Sequence, residues 1–373
     1  MLYNQNKELM FINKLFIGDI KMINSKVKII TSMILILGIS SLQAGTIRSQ
    51  GTAGASQLLI PVGAQNVAQG GSNTATSTGV DALYVNPAGT SGMSTGAQVT
   101  VSSMTYIADI DVTYIGMVAS LGDKGTVGLS MKTLDFGDIP VTTADETEGT
   151  GEMYSPNFMT ATANYSRPFA QNVRFGASLK FVSEQIINTS ANGVAADLGV
   201  QYKFNELPLS IGIALKNLGG RMEYDGSDLE QTHVPEGSES GSINEQFRVK
   251  SQSFELPAQL DIGLAYSTPV PGLDILASFT NNSFSTNVMS FSGKYSSSRF
   301  WVAGGMSTQS GVGEDDDFSS AQWDDMTKGI YGTTFGAGVT IPVGELMLDV
   351  GYSLRTVSDY FDDNSVIEMK VNF

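Results

Sequence analysis

Apolar and polar residues alternate with a period of two along much of this chain, and each such stretch predicts a β-strand. The pattern is clearest over 173–181 and 194–204, where one face of each strand is apolar without interruption. Further alternating stretches occupy 98–105, 111–120, 127–131, 159–165, 209–215, 256–266, 273–281, 285–295, 299–308, 331–341, 346–354 and 365–373. The sequence therefore predicts an all-β protein of about 14 strands, mostly of the length that a tilted strand needs to cross a bilayer.

The connections between these strands fall into two sets that alternate along the chain. The short set is 121–125, 168–172, 205–208, 268–272, 296–298 and 342–344, whereas the long connections 136–157, 218–255 and 309–330 all belong to the other set. Membrane barrels have short periplasmic turns and longer outer loops. The alternation of short and long connections therefore favours a transmembrane antiparallel β-barrel that comprises residues 96–373. A large soluble β-sandwich, which also alternates strands and turns, is the other interpretation.

Composition agrees with a membrane barrel. The chain has 41 Gly and no Cys, so neither a disulfide framework nor a lipid anchor on an N-terminal Cys is expected. No stretch after the first 44 residues is long and apolar enough for a transmembrane helix, and a membrane protein without such helices has to be a closed barrel. The net charge of −16 argues against nucleic acid as a partner, because phosphates would be repelled.

The start of the chain predicts export. Lys26 and Lys28 precede an apolar run over 29–39, and small residues follow up to Ala44. This order is typical of a secretory signal, here 1–44, with cleavage after Ala44. Translation from Met22 would give a signal of ordinary length.

The last strand carries a second targeting feature. Ile367, Met369 and Val371 alternate with polar residues up to the terminal Phe373. This pattern resembles the signal by which bacterial outer-membrane barrels are recognised and inserted. It implies an outer-membrane location, with the barrel assembly machinery and outer-membrane lipid as partners.

Candidate chemistry is sparse. His233 is the single histidine, and the chain has no Cys. Neither a Ser/His/Asp triad nor a His-based metal site is therefore available. We expect the protein not to be an enzyme and to have no catalytic residue, metal or cofactor. Acidic residues concentrate in the three long loops, for example Glu314 to Asp317. Calcium binding there is one interpretation, and a solvated acidic surface is the plainer one.

The segment between the signal and the first strand, 45–95, has a distinctive composition of small residues. Its candidate motif comprises Gly70, Gly71, Asp81, Asn86, Pro87, Ala88 and Gly89. With the run from Leu58 to Ala64, this segment resembles the corresponding region of the PorV/PorQ family of outer-membrane proteins, which stands with the FadL-type fatty-acid transporters in one 14-stranded barrel class.

A barrel of about 14 strands encloses an open lumen. We therefore expect 45–95 to form a plug inside or across the periplasmic mouth. A flexible periplasmic tail is the alternative, since Gly-rich segments of low charge are also linkers.

The resemblance implies one of two non-enzymatic functions. The PorV branch implies handling of exported proteins in type IX secretion, with secretion-system components as partners. The FadL branch implies passive uptake of hydrophobic small molecules. Charged residues at predicted lumen positions favour the first function, because an uptake channel needs an apolar interior. These residues are Arg174, Lys180, Asp197, Lys203, Asp261, Asp349 and Arg355.

Overall fold

A computed structural model describes residues 51–233, 245–310, 319, 329–358 and 361–373. The predicted signal lies outside these residues. The strands are β1 Ala97–Thr105, β2 Asp111–Ser120, β3 Thr126–Asp135, β4 Ile139–Pro140, β5 Met153–Tyr154, β6 Asn157–Ala170, β7 Val173–Ile186, β8 Thr189–Lys203, β9 Leu209–Gly219, β10 Tyr224–Gly226, β11 Glu230–His233, β12 Glu245–Arg248, β13 Gln259–Ser267, β14 Leu273–Asn282, β15 Asn287–Ser296, β16 Phe300–Ser310, β17 Tyr331–Val343, β18 Leu346–Val357 and β19 Asn364–Asn372.

In the part of the chain that the structure describes, helical structure is limited to short turns. They are Ser56–Leu59, Ala64–Ala68, Gly79–Asp81, Ala82–Val85 and Pro87–Gly92 ahead of β1, and Ile107–Asp109, Gly122–Lys124 and Ser227–Leu229 between strands. Within the described residues, no helix has the length and apolar character required to cross a membrane.

Fourteen strands form a closed antiparallel ring, in the order β1, β2, β3, β6, β7, β8, β9, β13, β14, β15, β16, β17, β18 and β19. The ring closes between its first and last strands, where Gln98 pairs with Asn372 and Thr105 with Ser365. The remaining five strands belong to the long loops, and β10 also pairs with the first three residues of β8. The transmembrane barrel predicted from the alternating pattern is thus confirmed.

The outer face of the barrel is apolar. Leu129, Leu179 and Ile367 are 55%, 62% and 59% exposed, whereas their chain neighbours Lys180 and Glu368 are buried inside the ring. An apolar outer band with alternating inward residues is what a lipid-facing barrel requires.

The two ends of the barrel differ in their connections. One end carries the short turns, such as 171–172 and 344–345, and the other carries the loops 136–156 and 220–258. By the usual arrangement in outer-membrane barrels the short turns mark the periplasmic end. The backbone of Phe373 lies at this end, hydrogen-bonded to Gly96 and Ala97.

Candidate functional site in the barrel lumen

The described residues ahead of β1, 51–95, run through the barrel lumen and are called the lumen segment below. The segment starts at the loop end, where Ala53 forms a parallel bridge with Glu255. It reaches the periplasmic end at Gly96, immediately before β1. The sequence-based expectation placed it at the periplasmic mouth, but its contacts extend along the lumen to the outer loops. The domain boundaries drawn from the sequence stay predictions.

Glycines on the inner face of the wall let the lumen segment approach closely. A Cβ atom at Gly199 would lie 2.1 Å from Oδ1 of Asn86, and one at Gly176 would lie 2.3 Å from the carbonyl carbon of Pro87. A Cβ atom at Gly212 would lie 2.3 Å from the Thr74 carbonyl oxygen. Distances this short exclude any side chain at these positions unless the segment moves. The wall is therefore shaped to the segment.

Asn86 fixes the segment to the wall through its amide. The side chain is fully buried; Oδ1 accepts a hydrogen bond from the Ala88 amide at 3.1 Å. Its Nδ2 group donates to the Thr74 carbonyl at 3.0 Å and to the Val200 carbonyl of β8 at 3.2 Å. A buried amide whose donors and acceptor are all used defines a single position for the turn.

The residues after Asn86 contact strand β6, which is separated from β8 by β7. The Ala88 carbonyl accepts a hydrogen bond from Ser166 Oγ at 3.0 Å, and Thr90 Oγ1 donates to Asn164 Oδ1 at 2.8 Å. Gly89 packs against the Ser77 carbonyl, from which an added Cβ atom would lie 2.1 Å. Asn86, Ala88 and Gly89 thus lie against one part of the wall, and the role of the motif as a hatch remains a prediction.

Gly70 and Gly71 provide a turn in the lumen segment. Both residues have left-handed backbone angles, with φ of 57° and 81°, which glycine adopts without steric cost. The Gly71 carbonyl accepts a hydrogen bond from Ser278 Oγ of β14 at 3.1 Å. The turn therefore redirects the segment from the β17 side of the lumen, where Thr334 Oγ1 donates to the Ala68 carbonyl at 2.9 Å, towards β14.

The inward charges of the wall are largely paired. Lys180 lies 2.6 Å from Asp197, and Lys216 lies 2.7 Å from Asp261. Asn217, at a left-handed φ of 59°, bridges the first pair. Its side-chain Oδ1 accepts a hydrogen bond from Lys180 Nζ, and its backbone N–H donates one to Asp197 Oδ1.

The other charged positions that favoured protein handling have different environments. Asp349 accepts from Thr340 and Asn372, and Arg355 stacks on Tyr331 with its guanidinium carbon 3.7 Å from the ring centroid. Arg174 is half-buried, and Lys203 is exposed at the periplasmic rim. Asp349 and Arg355 are thus satisfied by neighbouring groups of the protein and do not form a free charged channel.

Tyr84 lies at the centre of this polar layer. Its hydroxyl donates to the Leu59 carbonyl at 3.0 Å, and its ring has the ammonium groups of Lys132 and Lys216 at 5.0 and 5.3 Å from the centroid. Sequence analysis did not single out these lysines, although each occupies the polar side of an alternating strand.

In the described residues, the two largest of four buried apolar clusters lie inside the barrel, contrary to the expectation of a charged lumen. One joins Leu58 of the lumen segment to Val182 and Ala195 of the wall and to Met222 and Leu256 beside the outer loop. Both loop residues are at most 5% exposed.

The second apolar cluster lies on another part of the wall. It contains Ile60, Val62, Ala64 and Val67 of the segment, with Met104, Val112, Tyr114, Leu134 and Val366 of β1, β2, β3 and β19. Interior positions of membrane barrels are usually polar, so an apolar interior here is a specific feature.

The closing strand β19 has distinct residues on its two faces. Ile367, Met369 and Phe373 are exposed on the outside, and Val371 is half-buried. Glu368 and Lys370 point inwards and contact the lumen segment: Glu368 Oε2 accepts from the Ala64 amide at 2.9 Å. The outer residues are those predicted to form the assembly signal, a role that stays a prediction.

The acidic loops show no metal site in the described part of the chain, where no group of three or more His, Asp or Glu side chains is placed to hold an ion. Asp145 and Glu146 of the first loop are exposed. The acidic run from Glu314 to Asp317 lies outside the described residues, and His233 belongs to β11 of the second loop.

Fold and lumen together define a closed 14-strand membrane barrel whose interior holds an N-terminal segment. The toluene transporter TodX of Pseudomonas putida has this fold, with a TM-score of 0.54 and 16% identity over 84% of this chain and 98% of that chain. A Pseudomonas aeruginosa FadL homologue gives a TM-score of 0.50 and 12% identity over 84% and 98% of the two chains. The chain thus has the fold of the FadL-like outer-membrane barrels.

No protein-family model and no curated protein matches the chain. The structural comparisons support the FadL-like part of the resemblance seen in the sequence. Its narrower PorV/PorQ part receives no support from them.

Proposed function

We propose that this protein is a non-enzymatic outer-membrane channel for small hydrophobic molecules, closed by its lumen segment. The proposal favours the second of the two functions considered from the sequence. The apolar outer band is proposed to contact outer-membrane lipid, and the β19 residues to engage the barrel assembly machinery.

The observation that carries the proposal is the apolar cluster at the loop end of the lumen. Leu58 occupies a compartment lined by Val182, Ala195, Met222 and Leu256. Withdrawal of Leu58 would leave a desolvated surface that favours an apolar ligand over water. Small polar solutes would gain nothing from such a compartment.

The fold supports this proposal by similarity. TodX is described as a toluene transporter and as a monoaromatic hydrocarbon channel. Likeness of fold carries less weight than a site, so the apolar lining is the main argument.

Protein handling in type IX secretion has no comparable observation in its favour. The lumen charges that suggested it include Lys180 and Asp197, which are paired with each other, and Asp261, which is paired with Lys216. A polypeptide cargo would have to displace the lumen segment and break these pairs.

Toluene uptake by intact cells tests the proposal. Cells that lack their own hydrocarbon channel should take up toluene several-fold faster when they express this protein. Val182→Thr with Val112→Thr, which adds hydroxyls to the lumen at nearly constant volume, should reduce that rate. Val194→Thr, on the outer face of β8, is the matched control and should leave the rate unchanged.

Unchanged toluene uptake in expressing cells would refute the channel. Exported proteins that co-purify with the barrel, in the absence of toluene uptake, would favour protein handling instead. The amount of heat-modifiable barrel must be equal among all variants for the rates to be compared.

A further inference from the structure

The polar layer around Tyr84 contains one more cation than it has carboxylates to pair. Lys180 and Lys216 are each paired with an aspartate, but Lys132 forms no ion pair with any described residue. The Lys132 side chain is 5% exposed, and its ammonium donates one hydrogen bond, to the Ile60 carbonyl at 2.9 Å. A buried charge without a counter-charge is strongly unfavourable, so Lys132 keeps its proton only if a compensating group lies beside it.

Two buried hydroxyls lie beside Lys132. Thr160 and Tyr114 are 4% and 5% exposed, and in the described structure neither hydroxyl oxygen has a hydrogen-bond partner. Lys132, Thr160 and Tyr114 all line one cavity of about 20 Å³, covered by Leu58, Leu83 and Tyr84 of the lumen segment. A volume of this size admits a single water molecule or small monatomic ion and excludes polyatomic ligands.

We propose that this cavity binds a single small monatomic anion, such as chloride. Several groups around it are able to donate hydrogen bonds: the Lys132 ammonium has unused N–H groups, and the hydroxyls of Thr160 and Tyr114 are able to turn towards it. Ser130, Thr162 and Lys180 also line the cavity. An anion accepts all of these bonds and balances the extra charge. A water molecule would also have to donate hydrogen bonds, and it would leave the charge uncompensated.

The anion connects the lumen segment to the wall. The lining residues Lys132 and Thr160 come from β3 and β6, whereas Leu58, Leu83 and Tyr84 come from the segment. Lys132 also holds the Ile60 carbonyl, so the ion stabilises a contact that closes the channel. This inference concerns the closed state and does not depend on which molecule the channel carries.

Hydrogen exchange of the purified full-length barrel in detergent provides the test. Exchange of backbone amides over 56–68 is measured in sodium chloride or bromide, and in sodium gluconate of the same ionic strength, because gluconate is too large for the cavity. We expect exchange to be about tenfold slower in the halides, since hydrogen bonds to a charged group are of that strength. Lys132→Met should lose the difference, and the exposed Lys124→Met should keep it.

Equal exchange of the wild-type protein in halide and gluconate would overturn the proposal, and so would a halide effect that persists in Lys132→Met. Should Lys132→Met fail to fold, Thr160→Val serves instead, and its halide effect should be reduced. Crystals grown in bromide give an independent answer, because anomalous scattering should locate one ion between Lys132 Nζ and Thr160 Oγ1. The absence of that peak would also refute the site.

Discussion

Lys370 Nζ, on the closing strand, lies 2.5 Å from Oδ2 of Asp81 in the lumen segment. Both side chains are about nine-tenths buried, with exposures of 11% and 9%. Two residues earlier, Glu368 accepts hydrogen bonds from the Ala64 amide and from Thr100 of β1. The strand that completes the barrel therefore also holds the segment that occupies it.

Asp81→Asn should loosen the lumen segment. The substitution removes the carboxylate in direct contact with the buried Lys370 ammonium and leaves only the more distant Glu368 and Asp349, and breaking a buried pair costs about 3 kcal/mol. In planar bilayers the variant should open in brief, frequent events that the wild-type protein does not show.

The double variant Asp81→Asn with Lys370→Met removes both charges and should recover part of the closed time. Asp123→Asn, at an exposed turn, is the control for a charge change alone. If Asp81→Asn stayed as closed as the control, the ion pair would have no part in holding the segment.

Gly176→Ala should displace the turn at Pro87. Its new Cβ atom would lie 2.3 Å from the Pro87 carbonyl carbon, so the backbone has to move, at a cost of about 1–3 kcal/mol. Gly293→Ala is the matched control, because its Cβ atom would meet nothing within 4 Å. Single-channel conductance should rise in the first variant and remain at the wild-type value in the second. Identical traces would show that the close approach does not matter for closure.

The alternating pattern was sufficient to predict the barrel, because every second residue of a membrane strand faces lipid and is apolar. This pattern can be recognised within each strand without knowledge of its partners. Strand β2 shows where that signal weakens. Its inward residues Val112, Tyr114 and Val118 are apolar, and so are the outward Ile115 and Met117. When both faces of a strand are apolar, the alternation is lost, and the sequence does not show which apolar residues point inwards. The charged residues were therefore the only recognisable inward positions, and they indicated a charged lumen.

The partners of the lumen residues were not predictable from sequence. Lys370 and Asp81 are 289 positions apart, and Lys216 and Asp261 are brought together only by the pairing of β9 with β13. Alternation indicates which side chains point inwards, but the pairs among them depend on strand register and on the path of the lumen segment. The motif around Asn86 was recognisable, because a turn sequence is local.

Cysteine labelling should define the orientation of the barrel, because the natural chain has no Cys. Asp145→Cys in a long loop and Ser297→Cys in a short turn both place a thiol at an exposed position. A maleimide that cannot cross membranes should label only Asp145→Cys in intact cells, and both variants after detergent treatment. Labelling of Ser297→Cys in intact cells would invert the assignment of the two ends.

Deletion of Phe373 should lower the amount of assembled barrel while the chain is still exported. Phe373 is 55% exposed, and its backbone pairs with Gly96 and Ala97 at the closing seam. The deletion thus removes an outward aromatic residue of the predicted assembly signal together with two seam contacts. Heat-modifiable protein on a detergent gel gives the folded fraction. Phe169→Ala, at an aromatic residue 80% exposed, is the control, and a deletion variant that assembled as well as this control would refute the signal.

Removal of residues 53–93 should leave a barrel that folds but conducts far more. The strands of the ring pair with one another and not with the segment, so the barrel should still form. The lumen of a 14-strand barrel is open unless something occupies it. Replacing Asn86 and Pro87 together should give intermediate, flickering openings, because the amide that joins Thr74 to Val200 is lost while the rest of the segment keeps its contacts. Planar bilayers measure both effects, with heat-modifiability as the check on folding. If neither change altered the conductance, the segment would not close the channel, and the plug would have to be abandoned.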